Sequence, residues 1–522
     1  MAFSTRRPSS RRPAGATAKA AFPGGLMTRA AASLSHPRLL SKAGVQTGDS
    51  LTLHINQIHL QGTRRAEDSS KNAAAGAFAA ILGDGSVVTW GHEDSGGDSS
   101  AVQDQLTNVQ HIQASYAAFA AVLGDGSVAT WGQAEFGGDS SAVQDQLKNV
   151  QQIQATWCAF AAILGDGRVV TWGNAGYGGD SGAMQDQLQN VQHIQATGNA
   201  FAAILCDGSV VTWGNEDYGG DSSAVQAQLK NVQQIQAASC AFAAVLGDGS
   251  VVTWGDAGFG GDSSAVQHQL KNVQQIQASV LAFAAILGDG SVVTWGRAKF
   301  GGDASDVQDQ LTNVQEVQAT DSAFAAILGD ISVATWGDAD FGGDSSAVEH
   351  QLKNVQQIQA SARAFAAVLG DGSVVTWGDA DFGGDSSAVE HQLKNVQQIQ
   401  ASALTFAAIL GDGAVVTWGD PDCGGDSSAV QDQLKNVQIQ ATWCAFAAIL
   451  GDGAVVTWGD PDCGGDSSAV QDQLKNVQQI EAFAHTFAAI LGDASGVANN
   501  MIGCGIPFDA SIRFNKAGDL GR

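Results

Sequence analysis

An all-β, propeller-like array of ten tandem blades is the fold this sequence predicts, and three observations carry it. A Trp-Gly pair recurs at Trp90, Trp131, Trp172, Trp213, Trp254, Trp295, Trp336, Trp377, Trp418 and Trp458, with eight intervals of 41 residues and a last one of 40. The intervals hold short apolar runs such as AFAAIL and VVTWG, split in most copies by a Gly-Asp-Gly turn. Gly outnumbers Pro by 65 to 7, which suits many tight turns and no long helices. Closure stays open at this stage. A closed ring, a ring with extra blades and an open superhelical stack all satisfy the period.

Taken in order, residues 1–42 are rich in Arg, Ser and Ala and contain no acid. They read as a disordered basic tail or a transit peptide. Residues 43–71 form a short linker, in which GVQTGDSLTLHI (44–55) faintly resembles the last strand of a ubiquitin-like domain. The repeats span 72–493. An eleventh copy begins at Phe487 but loses the pattern after Asp493, leaving 494–522 as a degenerate tail.

Within the unit that starts at Asn149, NVQQIQA is a first strand ending at Ala155, AFAAIL a second and VVTWG a third. Gly165-Asp166-Gly167 joins the last two as a hairpin. Runs that are apolar on both faces must be covered on both faces, as in stacked sheets. Ala161 and Ala162 let neighbouring sheets approach, and Trp172 supplies bulk. The segment DSSAVQDQL differs in kind. Ser141 with Gln144 fits a capping box and Val143 with Leu147 shares a face, so a short helix of about two turns is expected there. A unit this small has too few large apolar side chains to fold alone and must stack on its neighbours.

Composition excludes several functions. The chain carries −27, with 52 acidic and 25 basic residues. Eight of the basic residues precede Asp49, so the remainder holds 17 basic against 52 acidic, or −35. Such a body repels phosphate backbones, so no nucleic-acid partner is expected, and a basic protein partner is favoured. Seven cysteines without a C-x-x-C pair suggest neither a disulfide framework nor a zinc site. That places the protein in the cytoplasm or nucleus, with organellar import as the alternative for the basic N terminus. No 18-residue apolar run is present, and no membrane partner is expected.

The string GDGSVVTWG, followed by an aromatic-Gly pair (Phe136-Gly137, Phe259-Gly260, Phe341-Gly342) and preceded by NVQQIQA, resembles the regulator of chromosome condensation repeat family in its short-repeat form. Two departures stand out. Gly-Gly-Asp replaces the family's Gly-Gln, and Ala-Ser/Thr replaces the Gly after the first strand. The resemblance implies a propeller that binds other proteins. Repeats of this kind also occur in large HECT-type ubiquitin ligases, which suggests a recognition part of a ligase system as an alternative. Only 29 residues follow Asp493, so no catalytic domain is expected in this chain. The founding activity, nucleotide exchange on a small GTPase, is a second alternative, although no functional residues can be matched to it.

Catalytic motifs read as structure. GGDSG at Gly178–Gly182 looks like a protease nucleophile loop, but other repeats carry GGDSS or GGDAS there. The D-x-D pairs Asp338/Asp340, Asp379/Asp381, Asp420/Asp422 and Asp460/Asp462 match no calcium loop. P-loop, nucleophile-elbow and HExxH patterns are missing, so neither enzyme chemistry, nor a cofactor, nor a metal is expected.

Differences among the units concentrate at two places. The first is the residue pair before the second strand, which supplies Tyr116, Trp157, Asn199, Leu281, Asp321, Arg363, Leu404, Trp443 and His485. The second follows Trp-Gly and supplies Arg297 and Lys299. Chain direction places both at one end of every sheet, opposite the Gly-Asp-Gly turns. Trp, Tyr and Arg are costly to expose and common at binding hot spots. The expected function is therefore a non-enzymatic protein-interaction scaffold that binds through this end.

Overall fold

Hydrogen-bonded pairing of the three short runs in each unit generates most of the described structure. The computed structural model describes residues 59–62, 77–81, 85–91, 93–468, 471–472, 474–483, 486–491 and 501–504. They form eleven separate three-stranded antiparallel sheets, each in first-second-third order. In sheet 5 the strands are Val232–Ala237, Ala241–Leu246 and Val251–Gly255. The fold is all-β, and its helical elements among the described residues are three-residue 3-10 turns.

There is one sheet more than there are Trp-Gly pairs. Sheet 1 takes its first strand from His59–Gly62, and sheet 11 takes its third from Met501–Cys504. Both lie outside the span 72–493 and resemble no repeat strand. Residues 1–42 lie outside the described residues. First strands are innermost, each beside the first strand of the next sheet. That of sheet 1 adjoins both sheet 2 and sheet 11, so the ends of the array meet and the sheets make one large ring.

The strand pattern explains the spacing of apolar residues. The first strand carries a β-bulge between Val232 and Gln234, which puts Val232 and Ile235 on one buried face and leaves Gln233 and Gln234 exposed. Sheet 10 shows the rule by exception. Its unit lacks one Gln and its first strand, Gln438–Ala441, pairs without a bulge, while Val437 and Ile439 stay buried. The 40-residue interval thus costs the sheet its bulge and shortens its first strand to four residues, with the buried face kept.

The cores lie between sheets. Ala200, Ala202 and Ile204 of sheet 4 pack against Phe242, Ala244, Val252 and Trp254 of sheet 5, and the neighbouring pairs from sheets 1 and 2 to sheets 9 and 10 repeat the Phe and Trp contact. Small residues on one face receive large ones from the next. Phe242 and Trp254 are cross-strand partners whose rings stack at 5.2 Å. The indole Nε1 of Trp254 donates to the carbonyl of Gly219 in the preceding unit at 3.1 Å. This bond recurs for nine tryptophans from Trp131 to Trp458. Sheet-to-sheet steps are therefore alike from sheets 1 and 2 to sheets 9 and 10.

The expected helix in DSSAVQDQL does not form. The segment is a run of turns, with a 3-10 turn in two units. Its polar residues bond to the third strand instead of capping a helix. In sheet 5 the Thr253 hydroxyl donates to Ser263 (2.9 Å), Ser263 donates to Gln267 (3.0 Å), and the Gln267 amide donates to the Val251 carbonyl (2.7 Å). In the next unit back, Asp221 Oδ1 accepts the backbone N–H of Ser223. The first Ser of the pair is the buried one. That also disposes of the protease resemblance, since Ser181 is buried in the same relay with Thr171 and Gln185.

In sheets 1 to 10 each hairpin turn ends on a Gly with φ near +80°, except in sheet 7, where Ile331 holds φ 61°. A β-branched residue is strained there. Ile331→Gly is expected to stabilise the chain by about 1–2 kcal/mol, read as a rise in the urea midpoint. A fall would show that the Ile331 side chain earns more by contact than its backbone loses.

Candidate functional site

A four-residue turn joins the first and second strands and positions the variable pair. Ser115 N–H donates to the Ala118 carbonyl (2.9 Å), and the Ser115 hydroxyl donates to the Phe136 carbonyl (2.7 Å). Thr156 and Thr320 repeat both bonds. The hydroxyl at this position ties the turn to the aromatic-Gly loop.

The two members of the variable pair then part company. The first residue of each pair sits on the rim, and its N–H donates to the carbonyl of the first residue in the next sheet. Eight such bonds link Tyr116, Trp157, Gly198, Ser239, Val280, Asp321, Ala362, Ala403 and Trp443 at 2.8–3.4 Å. Nine sheets thereby set their variable residues in one row. Trp157, Val280, Asp321 and Trp443 are exposed, the two indoles by about half. Tyr116 is half-buried and stacks on Phe136 at 5.7 Å. The Trp157 ring lies over Gly198, where a Cβ would come within 2.6 Å of it.

The second residue points down between loops. Asn199 and Leu281 are buried, at 7% and 9% exposure, so they do not face a partner as the sequence suggests. Leu404 is half-buried. Arg363 is clamped between Phe341 and Phe382, 4.8 and 4.5 Å from the ring centres, and lies 3.8 Å from Asp379. His485 lies outside the described residues.

The residues after Trp-Gly share this end. The N–H of Gln133 donates to the Ala117 carbonyl, and sheets 3 to 10 repeat the link. Arg297 is exposed, 5.2 Å from the Phe300 ring centre. Lys299 reaches across to the buried carboxylate of Asp338 at 2.9 Å, which pushes its pKa up. The D-x-D pairs are caps, since the first Asp accepts the N–H of the second at 2.8–3.2 Å. Among the described residues no three His, Cys, Asp or Glu side chains are placed to hold a metal ion.

Below the row, the ends of the first strands of sheets 4 to 8 line an open groove of about 490 Å³, with Gln195, Gln236 and Gln277 on its wall and Ser239, Val280 and Asp321 at its lip. Sequence reasoning missed these glutamines, although their recurrence at one strand position was a signal. At the opposite end, the Gly-Asp-Gly aspartates cap their own turns. Asp248 accepts both the N–H and the hydroxyl of Ser250, which holds its carboxyl below the usual range.

No family model and no curated protein matches the chain. Similar solved structures include Prp20p from Saccharomyces cerevisiae, described with its binding to Gsp1p and histones, at 16% identity over 53% of this chain and 73% of that one, with a TM-score of 0.27. The computationally designed Ika8 protein matches at 14% over 61% and 96%, TM-score 0.25. The CRINKLY WD40 ectodomain of the Arabidopsis thaliana receptor kinase ACR4 matches at 15% over 53% and 96%, TM-score 0.27. Likeness at this level carries neither a partner nor an activity to this chain.

Proposed function

We propose that the chain is a protein-interaction scaffold that binds its partner across the row of variable residues and the groove beneath it. The row itself is the supporting observation. A backbone ladder holds one side chain per sheet at a fixed place, so the repeats can differ there without disturbing the cores. Two half-exposed indoles in that row are suited to anchoring a partner, because such side chains dominate binding energy where they become buried. The net charge of −27 favours a basic partner and speeds its approach at low salt.

Trp157→Ala and Trp443→Ala are each expected to weaken binding by about 2 kcal/mol, roughly thirtyfold. Asp248→Asn, at the opposite end, should change it by less than about 0.5 kcal/mol. The tagged chain first captures a partner, and isothermal titration then compares the variants with wild type. Loss on Asp248→Asn with none on either Trp would place the binding face at the other end.

A further inference from the structure

Three thiols lie together beneath the rim of the last complete repeats, and neither the interaction surface nor the cores require sulfur there. Cys444 is the second residue of the variable pair in sheet 10, next to Trp443. In sheet 8 the residue at this position, Arg363, lies between Phe341 and Phe382 of two adjacent aromatic-Gly loops. In sheets 9 and 10 the two aromatics are replaced by Cys423 and Cys463 within identical PDCGGD segments. Cys444 therefore sits between two cysteines where its equivalent in sheet 8 sits between two rings. All three are buried, at 5–8% exposure, share one core, and none of them is in a disulfide. The Cys444 thiol is in hydrogen-bond contact with both others.

We infer that this cluster is a thiol–disulfide site in which Cys444 forms a disulfide with either Cys423 or Cys463, taking its oxidising equivalents from a small-molecule disulfide. In the first step a Cys444 thiolate attacks the disulfide RSSR, giving Cys444–S–SR and one RSH after proton uptake. In the second, Cys423 or Cys463 gives up its proton and attacks the Cys444 sulfur, releasing a second RSH. Two protein thiols lose two electrons and two protons, and one RSSR gains them. The third cysteine stays a thiol. Closure on Cys423 staples sheet 9 to sheet 10, whereas closure on Cys463 ties the turn to its own sheet. Hydrogen bonding to Cys423 and Cys463, with burial, pushes the Cys444 pKa up, which makes the thiolate scarce and the exchange slow without altering its equilibrium.

The test incubates the folded full chain with oxidised glutathione, blocks free thiols and maps disulfides by non-reducing peptide mass spectrometry. The expected result is one disulfide that always contains Cys444, with one of the other two cysteines alkylated. Cys423→Ser and Cys463→Ser should each still form a disulfide through the remaining partner. The double variant should form none within the cluster, and its circular dichroism should match wild type. A Cys423–Cys463 disulfide, a glutathione adduct that persists on Cys444, or three free thiols after oxidation would each overturn the inference.

Discussion

Trp254→Ala should destabilise the array by about 3–5 kcal/mol, as large core truncations do. Trp254 is 4% exposed, stacks on Phe242, and gives its indole proton to Gly219 of the preceding unit. Removing it leaves a cavity between sheets 4 and 5 and strands a buried carbonyl. The loss should be local, because each core is shared by two neighbouring sheets alone. Hydrogen exchange is expected to lose protection in sheets 4 and 5, less in sheets 3 and 6, and not at all in sheet 9. Equal loss in every sheet would mean that the ring unfolds as one unit and that its closure, rather than neighbour packing, governs its stability.

The three strands of each sheet were legible in the sequence because their signals are local. Alternation, β-branched residues and a Gly-Asp-Gly turn need no knowledge of the neighbours. The direction of the strands was enough to put both variable regions at one end, where the structure also has them. What was hidden depended on neighbours. HLQG at His59–Gly62 and MIGC at Met501–Cys504 look nothing like repeat strands, and they join sheets 1 and 11 by pairing with a repeat strand already present. The bulge could have been read from the three-residue spacing of Val232 and Ile235, since regular alternation would set them on opposite faces. DSSAVQDQL misled because its serine and glutamine suit a helix cap as well as they suit a relay to the third strand. The split of the variable pair into Trp157 outside and Asn199 or Leu281 inside rests on the turn and on the aromatic loops of adjacent sheets, which no single unit displays.

Gly219→Ala tests the sheet-to-sheet step from its other side and is expected to cost about 2–5 kcal/mol. About 1–2 of that is the left-handed backbone, since Gly219 has φ 98°. The remainder, about 1–3, is overpacking. A Cβ there would lie 2.7 and 2.8 Å from Cδ2 and Cε2 of Phe242, a ring with no exposed surface and no room to retreat. Each glycine of the Gly219-Gly220 pair has its own close contact. The first Gly lets the next sheet's Phe and Trp approach the backbone, and the second packs on the Gly214 carbonyl, 2.5 Å from where its Cβ would be. Gly258→Ala is the control. Its Cβ would meet only the Asp256 carboxylate at 3.1 Å, and sheet 7 carries Asp340 at the equivalent place. It should shift the urea midpoint by no more than about 0.5 kcal/mol. If steric contact with Phe242 is the cause, Phe242→Leu should relieve part of the Gly219→Ala cost, and the double variant should lose less than the two singles added together. Strict additivity, with Gly219→Ala costing no more than its backbone share, would show that the sheets can part slightly and that the close approach is not what the glycine secures.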